Sequence, residues 1–348
     1  MPAERIVIKQ FLELAERFPV LDVRSPGEFA HAHMPGAISF PLFNDEERKI
    51  VGTTYKQNSR EEAIKVGLDF FGPTMKQRIL DAEKIAKGSK TLLVHCWRGG
   101  MRSGAIAWLL DLYGFKVYTL AGGYKAYRNW VLSVFKTPFK LNILGGYTGS
   151  GKTELLQSLT SVGELIVDLE ELASHKGSAF GSIGMPQQPG QEQFENNLAT
   201  VLSKQLLLGN SESRIWLEDE SQRIGLVNLP NELWETMRNS PVYFMDIPFE
   251  KRLDHIVEEY GALDREALIA ATERITKKLG HLQAGKAIAF LQEGNTQAAF
   301  EILLQYYDKL YEKSLHNREA LRFLLRRVEA DAAGAKSRDT LLHFIKNE

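Results

Sequence analysis

A single cysteine in 348 residues leaves this chain no internal disulfide and no cysteine-built zinc site. Long apolar runs are also missing, since none approaches the roughly 18 uninterrupted residues of a membrane span. The opening stretch, MPAERIVIKQFLELAERFPV, carries acidic residues within short apolar segments and lacks the basic and long apolar regions of a secretory signal, so a cytoplasmic protein is expected. Charge of neither sign dominates, with 43 Lys and Arg against 44 Asp and Glu. Any surface for nucleic acid must therefore be a local basic patch. There is no internal repeat and no low-complexity tract. The remaining composition is that of a soluble globular chain long enough for two domains, each with its own core.

The first 130 or so residues alternate short apolar runs (VLDV at 20–23, TLLVHC at 91–96, KVYTL at 116–120) with amphipathic stretches such as EEAIKVGLDFF and SGAIAWLLDLYGF. Such alternation predicts a parallel sheet covered by helices. A second α/β series starts at FKLNILGGYTGSGKT and runs through ELIVDLE, SRIWLEDES and PVYFMDI; from Phe249 onward the sequence reads as helical. Between the two series, NWVLSVFKTP (129–138) reads as a closing helix ended by Pro138. The expected organisation is an α/β domain over 1–135 followed by a P-loop-type α/β domain with a helical C-terminal region over 136–348.

The cysteine lies in VHCWRGGMRS (94–103). An apolar strand ending in Cys96, a loop with two glycines and a helix opening at Ser103 would aim backbone amides and a helix N-terminus at the thiol, lowering its pKa and making room for an anion. Arg98 and Arg102 would add charge and fork geometry for a tetrahedral oxyanion. These neighbours favour a reactive thiol over a buried structural one. The flanking FPVLDVRSPGEFAHAHMPGAISFPL and LAGGYKAYRNW resemble the entry and closing segments of a rhodanese domain. The resemblance implies that Cys96 carries a chalcogen, and Asp22, Arg24 and Glu28 read as a buried ion-pair network that fixes the fold. The Cys-x5-Arg spacing is one residue wider than in many sulfur-transferring rhodaneses and matches rhodanese-like phosphatases. A wider loop suits a phosphorus-centred oxyanion better than thiosulfate.

Gly146-Tyr147-Thr148-Gly149-Ser150-Gly151-Lys152-Thr153 fits G-x-x-x-x-G-K-[ST] between an apolar LNIL and a helical ELLQSL. Here Gly146, Gly149 and Gly151 let the amides, Ser150 included, turn inward around phosphate, Lys152 supplies a point charge, and Thr153 can ligate Mg²⁺. Two acidic segments compete for the other metal ligand: Asp168 and Glu170, or Glu218, Asp219 and Glu220. The latter segment is more similar to a Walker B strand end, which favours Asp219 for magnesium and Glu220 for positioning. The Gly-, Pro- and Gln-rich stretch 175–198 is too long for a simple connection and reads as a lid facing the phosphate loop.

Together HCWRGGMRSG, GGYTGSGKTELL, the DLE-then-HKGSAFG string and EDESQRIG resemble, over essentially the whole chain, the tRNA 2-selenouridine synthase family. That resemblance implies exchange of sulfur for selenium in wobble-position 2-thiouridine of tRNA, with selenophosphate as donor, through an S-geranyl intermediate made from geranyl diphosphate. Selenophosphate is then expected at the Cys96 loop, and geranyl diphosphate with Mg²⁺ at the phosphate loop. For tRNA the candidate patch is the basic tail: Lys277, Lys278, Lys286, Arg318, Arg322, Arg326 and Arg327, with Arg322 and Arg326 foremost. A rival reading is a rhodanese-like sulfurtransferase or phosphatase fused to a nucleoside-kinase-like domain, which would turn over ATP or GTP. Another rival is a nucleotide-controlled RNA-binding adaptor with a relic cysteine domain, against which the intact Cys96, Lys152 and Thr153 argue.

Overall fold

The computed structural model describes residues 3–210, 213–319 and 321–347. The chain divides into two compact units, Met1–Val134 and Phe135–Glu348. Among the described residues no helix is long and apolar enough to cross a membrane.

In the first unit the strands β1 (Glu4–Ile6), β2 (Val20–Asp22), β3 (Ile38–Ser39), β4 (Thr91–His95) and β5 (Lys116–Leu120) form one parallel sheet in the order β1-β5-β4-β2-β3. The middle strand, β4, is buried from Leu92 to His95, so its apolar run is continuous rather than alternating, as expected when helices cover both faces. Leu21, Leu92, Val94, Ile106 and Leu110 share its core. Beneath the sheet's C-terminal edge lies the Asp22–Arg24 ion pair, with both side chains buried. Arg24 closes it by donating to the Ala32 carbonyl at 2.8 Å and covering the Tyr124 ring at 3.8 Å. A buried charge this well partnered holds the fold, as the sequence leads one to expect.

The second unit repeats the plan with β6 (Leu141–Gly146), β7 (Leu165–Val167), β8 (Ile215–Glu218), β11 (Val242–Asp246) and β12 (Leu325–Glu329), all parallel in the order β12-β11-β6-β8-β7. A short antiparallel pair, β9 (Arg223–Ile224) with β10 (Val227–Asn228), stands apart. The helices Phe249–Tyr260, Arg265–Leu279, His281–Gln292 and Thr296–His316 build a further apolar cluster, with Phe180 inserted among them.

The helical reading of everything after Phe249 needs correction, because β12 returns to the sheet and pairs with β11 from Leu325 to Glu329. It is a five-residue edge strand carrying two adjacent arginines, so its own alternation is broken. Pairing with β11, which is distant in sequence, is what fixes it as a strand.

Candidate active sites

Cys96 follows β4 directly, and the helix Met101–Tyr113 begins five residues later, two residues earlier than the sequence suggests. The loop between is tight. The Gly100 amide donates to Cys96 Sγ at 3.4 Å, and the Ser103 hydroxyl lies 3.3 Å from the same sulfur. That hydroxyl also reaches the Gly100 carbonyl at 3.1 Å, so its single proton can turn from the carbonyl to a thiolate. Burial alone would raise the thiol pKa. Hydrogen bonds from the Ser103 hydroxyl and from the Gly100 and Ser103 amides, with the charge of Arg102, outweigh burial and hold it below the ordinary cysteine value.

The paired glycines Gly122 and Gly123 back this loop. A Cβ on Gly123, whose φ is +59°, would sit 2.3 Å from the Cys96 carbonyl oxygen and 2.5 Å from the Gly99 amide nitrogen. Only glycine allows that approach. The amides of Tyr124 and Lys125 then donate to the carbonyls of Cys96 and Trp97 at 2.8 and 3.0 Å.

The two arginines of the loop differ. Arg98 is exposed, and its guanidinium makes no hydrogen bond or ion pair among the described residues. Arg102 forks onto Glu28, at 2.5 and 3.3 Å. Burial raises the Glu28 pKa, but Arg102, the Ser25 amide and Arg48 bring it below the usual carboxylate range. Glu28 is thus a partner of the cysteine loop, whereas the sequence pattern places it with Asp22 and Arg24 in the buried frame. Beside it opens a cleft of 390 Å³ bordered by Glu28, Arg48 and the exposed Trp97.

The other site sits at the C-terminal end of β6, between β11 and β8, where an open parallel sheet places phosphate ligands. Gly146, Gly149 and Gly151 have φ of +152°, +81° and +67°, which turns the amides inward. Lys152 opens the helix Lys152–Leu159 and donates from Nζ to the Gly146 carbonyl at 2.9 Å. Thr153 Oγ1 donates to Glu170 at 2.8 Å.

One helix, Thr296–His316, braces this loop three times. Asp308 takes a bidentate bond from Arg252, which also donates to the Thr148 carbonyl. The Tyr311 hydroxyl accepts from the Gly146 amide at 3.2 Å, and Glu312 accepts from the Tyr147 hydroxyl at 2.6 Å.

Asp219, the expected magnesium ligand, is committed elsewhere. It accepts from the Tyr311 hydroxyl at 2.7 Å on one oxygen and from the Arg318 guanidinium on the other. Arg318 is buried in this pair and so is not part of an exposed basic patch. The carboxylates near Thr153 and Lys152 are instead Glu170 and Glu220. Burial, followed by charge, raises the pKa of both: for Glu170 the neighbour is Asp168, partly offset by Lys152 and Thr153, and for Glu220 it is Glu170. Thr153 thus lies beside Glu170, which Glu220 contacts, whereas each oxygen of Asp219 already accepts a hydrogen bond, from Tyr311 or from Arg318.

The segment after the helix Leu169–Ala173 runs against the same carboxylates. A side chain on Gly177 would collide with Glu220, while Lys176 pairs with Glu259 and Arg274 donates to the Ala179 carbonyl at 2.9 Å.

A family model of the tRNA 2-selenouridine synthase AAA domain matches residues 139–334. The tRNA 2-selenouridine synthase of Sulfurovum sp. (strain NBC37-1) is 36% identical over 343 residues, covering 88% of this chain and 91% of the relative. The chain belongs to the tRNA 2-selenouridine synthase family. A rhodanese-like domain model matches residues 7–129. The proteins of the same name from Bdellovibrio bacteriovorus and Nitrosomonas europaea are 33% and 41% identical. The Bdellovibrio match spans 87% of this chain and 90% of the relative, the Nitrosomonas match 70% and 63%.

Within this family member the two proposed tRNA contacts lie near β12. Arg322, exposed, sits 4.5 Å from the Phe323 ring, and Arg326, half-buried, donates to the Phe323 carbonyl at 2.7 Å. Arg327 pairs with Asp246 at 3.1 Å.

Proposed function

We propose that this chain replaces sulfur by selenium in wobble-position 2-thiouridine of tRNA, by way of S-geranyl-2-thiouridine, using geranyl diphosphate and selenophosphate. The observation that carries this reading is the pairing, in one chain of this family, of two anion cradles of which one carries the chain's single thiol. The thiol-bearing cradle, with the exposed Arg98 and with Arg102, suits a small tetrahedral anion such as selenophosphate. The other, with Lys152 and inward-turned glycines, suits a diphosphate leaving group.

In the first step the thiocarbonyl sulfur bonds to C1 of the geranyl group. The C1–O bond breaks with its electron pair going to diphosphate, and the N3 proton is lost to solvent. The loop amides and Lys152 neutralise the charge that gathers on the departing oxygen. Thr153, Glu170 and Glu220 would hold Mg²⁺, which when bound neutralises further phosphate charge. Alkylation turns a poor leaving group into a neutral thiol. Selenium of selenophosphate then bonds to C2, the C2–S bond breaks to release geranylthiol, and water cleaves the Se–P bond to leave phosphate. Cys96, Arg98 and Arg102 act at this later step. Phosphate contacts from Arg322 and Arg326, with Phe323 as a stacking surface, fit the tRNA.

Nucleoside mass spectrometry of 2-thiouridine tRNA incubated with the protein and both co-substrates tests the reading. Geranylated nucleoside should appear first and 2-selenouridine after it. Turnover of ATP or GTP with unchanged tRNA nucleosides would favour the kinase-like rival and defeat the proposal.

A further inference from the structure

Next to the phosphate loop, Thr148 borders an enclosed chamber whose remaining walls are almost wholly apolar. Phe180 reaches in from the segment that follows the helix Leu169–Ala173, and Tyr260, Phe300 and Tyr307 surround it at ring-centroid distances of 6.5, 5.9 and 6.3 Å. Thr148 and Ser178 are the chamber's polar residues beside the two tyrosines, and the Tyr307 hydroxyl accepts from the Ala179 amide at 3.4 Å. This small void, walled mainly by aromatic and aliphatic side chains, shares Thr148 with the phosphate loop, so an apolar chain attached to a phosphate could reach it from the loop.

We propose that this chamber receives the hydrocarbon chain of an allylic diphosphate whose phosphates lie in the Gly146–Thr153 loop, and that Phe300 sets the length of chain accepted. The proposal rests on the reading of that loop as a prenyl diphosphate site and adds where the chain goes.

The helix Thr296–His316 provides the ruler. Its residues Asp308, Tyr311 and Glu312 brace the phosphate loop, while Phe300, Leu303 and Leu304 line the chamber. Of the lining residues on this helix Phe300 is the farthest along it from the brace, eight residues before Asp308 or about 12 Å along an axis rising 1.5 Å per residue. A chain that starts at the phosphate loop and follows this helix therefore meets the Phe300 ring last.

The chamber has 20 Å³ of free space, room for about one water. A chain enters only as Phe180 withdraws, and the backbone allows for that. Phe180 sits between Gly177 and Gly184, whose φ values are +64° and +74°, in a stretch outside regular secondary structure. Once the segment closes again, Phe180, Tyr260 and Tyr307 surround the chain with aromatic carbon and exclude water from it.

The full-length protein, given 2-thiouridine anticodon stem-loop and dimethylallyl, geranyl or farnesyl diphosphate in competition, should transfer geranyl best. Phe300→Leu should raise the farnesyl-to-geranyl ratio of kcat/KM about tenfold, and Leu303→Phe should lower the geranyl-to-dimethylallyl ratio by about as much, since an apolar pocket discriminates roughly 10–200-fold per small group. Affinity for inorganic diphosphate, unchanged in each variant, shows that the phosphate loop is still folded. Affinity for the unreactive geranyl S-thiolodiphosphate should fall about tenfold in Leu303→Phe. Variants that transfer prenyl groups with wild-type chain-length ratios would overturn the chamber assignment and leave the prenyl diphosphate reading standing. A wild-type protein that transfers none of the three would overturn both.

Discussion

The two loops share a plan and differ in what their strongest cation does at rest. Each follows a central strand of a five-stranded parallel sheet and leads into a helix, and each needs glycines at positive φ. In the cysteine loop Arg102 is neutralised by a carboxylate from elsewhere in its own unit, Glu28. In the phosphate loop Lys152 donates to a carbonyl of the loop itself, Gly146, and acts on Glu170 and Glu220 only through its charge. The cysteine loop is tuned around a nucleophile it already has. The phosphate loop is built to receive negative charge and is braced by a single helix, Thr296–His316.

The sharpest break in this comparison removes the nucleophile. Cys96→Ser should lower 2-selenouridine formation by about 10³-fold or more while geranylated tRNA accumulates, because only one loop depends on the thiol. Tracking both nucleosides over time checks this. Lys152→Ala should do the converse. Geranylation should fall by roughly 10²–10³-fold, the usual cost of removing one preorganised charge, and supplied S-geranyl tRNA should still be converted to selenouridine.

Asp219→Asn tests whether that residue holds a metal or holds the fold. It leaves buried Arg318 without its counter-charge, so unfolding free energy should drop by about 3 kcal/mol in a denaturant titration. The Mg²⁺ dependence of geranylation should stay as in wild type. Next, the alkylation rate of Cys96 by iodoacetamide should rise with pH through a midpoint below that of an ordinary cysteine. A depressed pKa means thiolate persists to lower pH, and Ser103→Ala, which removes a hydrogen bond to the thiolate, should move the midpoint upward. The smallest effect is expected at the tRNA surface. Arg322→Glu with Arg326→Glu should weaken binding and make the slope of log affinity against log salt shallower by about 0.7–0.9 for each phosphate group no longer neutralised.

How far the sequence discloses this arrangement depends on distance along the chain. The P-loop octapeptide and the strand–Cys–Gly–Gly–helix pattern are local, because the glycines, Lys152 and Cys96 announce themselves through their immediate neighbours. Asp168 also signals locally, as its side chain caps the helix Leu169–Ala173 by accepting from the Glu171 amide at 2.7 Å. That leaves Glu170 for Thr153, a candidate the sequence names but ranks behind Asp219. The commitment of Asp219 to Tyr311 and Arg318 joins residues more than 90 positions apart, and the link between Glu28 and Arg102 spans 74. Such pairings arise from sheet order and helix packing, which no window of sequence contains. The edge strand at Leu325 escapes a periodicity reading for the same reason.

Gly334 lies against the phosphate loop, its amide donating to the Ser150 carbonyl at 3.1 Å, and a Cβ on Gly151 would sit 2.5 Å from its Cα. A loop written at residues 146–153 is therefore completed by a residue more than 180 positions later. On the ribosome, where domains fold as they emerge, the cysteine unit is complete once residue 134 is out. The phosphate cradle must wait through the synthesis of five helices of twelve residues or more and an edge strand. For that interval the nascent chain has a finished thiol site and an unfinished phosphate site. In the proposed order of the chemistry, the site of the first step is thus the last to be built.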